Sequence, residues 1–170
     1  MEPVKHELKP LSKGAVGAAL DRALRYRLLN EPLLAESICL DILAVEPEHQ
    51  EALKTMLLAL TDQFERQLGA HHQRARDVLP RLASAYERAY YEGIIWERRA
   101  QAYHSLAPPG WGELAHEGLR QAMSCYQKAI ELRSADNDEA ILRWNTCVRL
   151  LERFPEIKPA PRQRREFLLE

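Results

Sequence analysis

The side chains that could carry chemistry are scattered along this chain rather than gathered. Histidines stand at His6, His49, His71, His72, His104 and His116, and cysteines at Cys39, Cys125 and Cys147. A protein holds zinc with ligands spaced so that their lone pairs converge, as on a His-Glu-x-x-His helix face or in paired Cys-x-x-Cys turns. Neither spacing occurs here, and adjacent His71 and His72 point to different sides of a helix. There is also no glycine-rich phosphate loop and no Gly-x-Ser-x-Gly elbow. Carboxylates such as Glu92 and Glu97 read as solvated charges on a helix face. The cysteines are odd in number, far apart and set among apolar neighbours, the pattern of buried free thiols. The expectation is a noncatalytic chain with no metal and no cofactor.

Composition narrows the partners. Of 170 residues, 46% are hydrophobic and 29% charged, which suits one globular domain. Lys and Arg number 24 against 25 Asp and Glu, a formal charge of −1, so no general positive field exists to draw in nucleic acid. The segment Met1–Lys13 is charged, is broken by Pro3 and Pro10, and lacks the apolar core of a secretion signal. No apolar run approaches the roughly 18 residues of a membrane span. A cytoplasmic address is expected.

The elements that must position any site are helices. Apolar residues recur at helical spacing from Ala15 to Leu29, including Leu20, Ala23, Leu24, Tyr26 and Leu28. Asn30-Glu31-Pro32 forms the next turn, with Asn30 suited to left-handed backbone and Pro32 to a first helical turn. A helix over 33–45 follows, with Leu34, Ala35, Ile38, Cys39, Ile42 and Leu43 inward, and Glu46-Pro47 stops it. A third helix is predicted over 49–67, burying Leu53, Met56, Leu57 and Leu60, with Gly69 as its stop. The fourth, 72–85, carries Pro80 inside, where a kink is expected. Residues 86–106 form a central, aromatic helix with Tyr86, Tyr90, Tyr91, Trp96 and Tyr103. Ala107–Gly112 breaks it and holds Trp111 in the loop. Helices over 113–133 and 139–154 complete the set, the second started by an Asp136–Glu139 capping box and turning Ile141, Leu142, Trp144, Val148 and Leu151 inward. The domain is thus 15–154, between an N-terminal arm at 1–14 and a Pro- and Arg-rich tail at 155–170.

These helices repeat. Ala52 and Leu60 follow Ala18 and Tyr26 at a spacing of 34, and Ala122, Tyr126 and Ala129 restate the register of Ala35, Cys39 and Ile42. Such a period marks stacked helix hairpins, none of which can bury its apolar face alone. With Tyr26, Ala35, Ile42 and Pro47, then Leu53, Met56 and Leu60, then Trp96, Ala100, Tyr103, Ala122, Tyr126 and Ala129, residues 15–154 resemble the tetratricopeptide repeat family. The pattern departs from the family at Arg22 and Arg99, where a Leu is usual, and at Ser134, where the closing Pro is missing.

The resemblance implies an all-α, right-handed solenoid of about three hairpins plus a C-terminal capping helix. It further implies a protein–protein interaction module that binds a peptide or protein partner along a concave face lined by first helices. On that register the face presents Lys54, Leu58, Thr61, Glu97, Gln101, His104, Thr146 and Arg149. Leu20, Leu24 and Leu58 stand where the family's carboxylate clamp for chaperone tails needs polar groups, so that partner is not expected. Trp111 is a candidate loop anchor, and the tail Arg162–Glu170 a candidate docking segment. Two alternatives remain: a regulatory or accessory subunit of an enzyme, and a self-assembling structural protein or homo-oligomer.

Overall fold

In the computed structural model, which describes residues 6–161, the chain is all helical among the described residues. Its α-helices are α1 (Val16–Leu28), α2 (Pro32–Val45), α3 (Gln50–Thr61), α4 (Phe64–Val78), α5 (Ala85–Leu106), α6 (Trp111–Leu132) and α7 (Glu139–Arg153). Each packs on the next, and α3 also touches α1 and α5. This sequential stacking of hairpins α1–α2, α3–α4 and α5–α6, followed by α7, is a helical-repeat, solenoid-like arrangement. No described helix is long and apolar enough to cross a membrane.

The repeat is legible in burial. Ala35, Cys39 and Ile42 on α2 and Ala122, Tyr126 and Ala129 on α6 are inaccessible or nearly so, and on α4 the same i, i+4, i+7 pattern falls on His71, Ala75 and Val78. Second helices therefore meet the core at one spacing. First helices run parallel. Arg27, near the end of α1, reaches Asp62 just past α3 at 2.8 Å, and Lys54, early in α3, reaches Glu87, early in α5, at 2.9 Å.

Local chemistry accounts for most boundaries. Asn30 takes the left-handed conformation at φ 58° and Pro32 opens α2, as expected from their types. Ser84 caps α5 by accepting from the Glu87 N–H at 3.3 Å. Left-handed Ala107 and Gly110 turn the chain between α5 and α6.

Several expectations need correction. The third helix ends at Thr61, not near Gln67, and Gly69 lies inside α4 just past non-helical Gln67. Asp62 and Gln63 make the break through tertiary bonds: Asp62 pairs with Arg27 and faces Arg98, while buried Gln63 donates to Glu36 at 2.7 Å and to the Ala59 carbonyl at 3.1 Å. Pro80 sits in a short 3-10 turn after α4 rather than inside a helix. Trp111 is the first residue of α6, not a loop residue. Asn137, not an Asp136 capping box, accepts from the Glu139 N–H at 3.2 Å. Leu24, Leu28, Leu34 and Leu142 face outward instead of into the core. The tail does not begin at Pro155 as a free strand, since Ile157 is buried against α5 and α6. Residues 162–170 lie outside the described residues.

Candidate functional site: a tyrosine-lined groove across three helices

The predicted concave residues do sit on α3, α5 and α7, but they do not form one surface. Lys54 is spent on Glu51 and Glu87. Burial opposes its charge, yet hydrogen bonds to those two carboxylates outweigh it and hold the ammonium above its ordinary pKa. Leu58 packs into the core around Tyr90 and Tyr126. Thr61 is buried and donates to the Leu58 carbonyl at 2.8 Å. Thr146 likewise donates to its own helix, at the Leu142 carbonyl. His104 is wedged between Trp111 and Phe154, at ring distances of 5.2 and 4.5 Å. Trp111 itself packs against the core. Arg149 is exposed.

Glu97 is the largest departure from the sequence reading. It is only 1% exposed, and its carboxylate accepts from Tyr126 Oη at 2.6 Å, from Gln101 at 3.1 Å and from Arg143 at 3.2 Å. Three helices meet on this one charge. Burial first, and the Glu97 carboxylate second, push the Tyr126 phenol far above its usual pKa, so it remains a donor. Burying a carboxylate is costly unless it is paired and hydrogen-bonded, and here both conditions hold. Glu97 is therefore a structural charge, not a groove lining.

The accessible feature lies further toward the start of α5. Tyr86 and Tyr90, four residues apart, share a face and stack at 5.8 Å with 12° between the rings, and Tyr91 meets Tyr90 edge-on at 5.3 Å. Tyr90 is braced from behind by Tyr126 at 6.1 Å. Tyr86 donates to Asn137 Oδ1 at 3.3 Å, which ties α5 to the turn before α7. That turn is folded by Arg133, which pairs with Asp138 at 3.1 Å and donates to the Ala135 carbonyl at 3.0 Å. The result is a groove of about 460 Å³ walled by these tyrosines, Lys54, Glu87, the Asp136–Glu139 turn and Leu142. Burial raises the pKa of all three phenols, Tyr91 to about 12, so each stays neutral. The expectation that these tyrosines are buried holds for Tyr90, at 8% exposure, while Tyr86 and Tyr91 are half-buried against the core. Their i, i+4 spacing with an adjacent third was the available signal for the groove.

Among the described residues no group of three or more His, Cys, Asp or Glu could hold a metal ion. The cysteines are free and buried, and burial is the main force raising their thiols, Cys39 and Cys147 to about 12 and Cys125 to about 11. Thiols so protonated are poor nucleophiles. Comparison with protein-family models, curated proteins and solved structures finds no match to this chain. The tetratricopeptide likeness thus rests on the residues quoted for it, and the architecture shown is a generic helical repeat.

Proposed function

We propose that the chain is a noncatalytic docking module that takes a peptide segment of a protein partner in the tyrosine-lined groove of α3, α5 and α7. One observation carries this reading: a 460 Å³ depression walled by α3, α5, α7 and the turn before α7, with aromatic floor and polar rim. Its volume falls within the range of about 300–1,000 Å³ common for ligand sites. Tyrosines offer large contact area, few rotatable bonds and a hydroxyl each. The resemblance to tetratricopeptide repeats supports the same reading, because in that family first helices line the binding face.

The chemistry of the rim favours a basic peptide. Lys54 is neutralised by its two carboxylates, whereas Asp136, Glu139 and the half-engaged Asp138 give the opposite wall negative charge. An Arg or Lys side chain would lie over the tyrosine faces with its cation toward those carboxylates. Selection from a random peptide library should therefore enrich Arg- or Lys-containing sequences with an apolar neighbour. Tyr86→Ala and Glu139→Arg should each weaken the selected peptide by more than about 1.4 kcal/mol, a tenfold change. Lys128→Glu, on the exposed side of α6, should leave it intact. Peptides indifferent to both groove changes would refute the reading.

A further inference from the structure

A second groove, of about 310 Å³, lies at the opposite end of the stack on the first hairpin. It is lined by α1, α2 and the segment ahead of them, on a side that none of α3 to α7 reaches. Inner hairpins of a repeat array are covered on both sides, and an end hairpin stays soluble by presenting a polar outer face. This one presents Ala15, Ala18, Ala19 and Ile38 between two charged residues, with Ala19 and Ile38 half-buried on the core beneath. Leu34, 44% exposed, stands one turn before Ile38 on the same face of α2. Short side chains along α1 would let another helix approach closely.

Two charges mark the groove, Arg22 on its α1 wall and Asp41 on its α2 wall. Neither has an ion-pair partner among the described residues. A patch with one positive and one negative wall is complementary to itself. A two-fold axis through its centre sets each Arg22 against the Asp41 of the other copy, and both contacts form together.

We propose that the chain forms a two-fold dimer through the outer face of α1 and α2, with Arg22 of each copy paired to Asp41 of the other across an alanine-lined apolar seam. The tyrosine groove sits at the far end and stays open in both copies. The proposal is independent of what that groove binds.

Sedimentation of the full chain over a concentration series tests it. The wild type should dimerise, and Arg22→Asp and Asp41→Arg should each weaken the dimer by at least about tenfold, since like charges then oppose in both contacts. Mixing these two variants should restore a dimer, because every contact regains opposite signs. Ala18→Glu, at an exposed seam position, should also give monomer, and circular dichroism of each variant checks that it is folded. A wild-type monomer at every concentration overturns the proposal. So does a dimer that ignores the charge reversals, or one that is lost when residues 162–170 are removed, which would make the basic tail the occupant.

Discussion

The helices before Leu79 and those after Ser84 fill their interiors with different chemistry. Between α1 and α4 the core is mainly aliphatic, built on Ile42, Leu53, Leu57 and Leu60, with Phe64 its one fully buried aromatic among the described residues and Tyr26 half-buried against it. A carboxylate is buried here too, at Glu36, which accepts from Gln63 at 2.7 Å and pairs with Arg74, while Asp62 collects Arg27 and Arg98. Between α5 and α7 the core is aromatic, and a charge lies at its centre, Glu97 with Tyr126, Gln101 and Arg143. A hydrogen-bonded charge fixes three helices in one register, at the cost of failing badly when one partner is lost. The tyrosines of the groove stand on the second half, where Tyr126 braces Tyr90 from behind.

This contrast is sharpest at Tyr126. Tyr126→Ala should cost about 5 kcal/mol, by leaving a cavity and an under-paired carboxylate, whereas Leu57→Ala in the aliphatic half should cost about 3. Tyr126→Phe removes only the hydroxyl and should still cost about 1.5–3 kcal/mol, the range for a bond to a charged group. Urea denaturation midpoints measure all three. If Tyr126→Phe is neutral, Glu97 does not organise that half.

Glycine positions separate the halves in sign. A Cβ on Gly93 would meet the Tyr126 ring at 2.4 Å, and that ring is fully enclosed, so Gly93→Ala should destabilise by about 1–3 kcal/mol. Gly69 lies in helical backbone with open space around it, and Gly69→Ala should stabilise by about 0.5–1 kcal/mol. Thermal melts showing the same sign at both sites would erase the distinction.

The smallest effect is expected where α4 meets α5. His72 on α4 packs on Phe64 and on Trp96 of α5 at 6.0 and 5.5 Å. Burial, then the charges of Arg99 and Arg76, pull its pKa from 6.5 down to about 4. An imidazole with a lower pKa when folded binds its proton more readily when unfolded, so its contribution is intact above about 6.5 and is lost as pH falls toward about 4. Melting temperatures of His72→Gln should fall less steeply across that window than those of wild type.

Much of the fold was legible because its punctuation is local. Asn30-Glu31-Pro32, Glu46-Pro47 and the Pro-Pro-Gly segment after Ala107 act through their own backbone preferences. The break after Thr61 was not legible, since Asp62 and Gln63 are unremarkable in helices and act through Arg27, Arg98 and Glu36, distant in sequence. Glu97 was misread for the same reason: helical spacing places it beside Gln101, but nothing local announces Arg143. Of the proposed binding residues, the sequence located Lys54 and the three helices but not the tyrosine face, because aromatic spacing alone does not say whether a ring faces core or solvent.

The central claim is that a peptide lies against α5 and α7 in the tyrosine groove. A photo-crosslinking amino acid placed at Leu142, 64% exposed on the groove wall, tests it against the same group at Lys128 on the exposed side of α6. Illumination with a library-selected basic peptide should yield a covalent adduct from position 142 and none from position 128. An adduct from 128 with none from 142 would contradict the account.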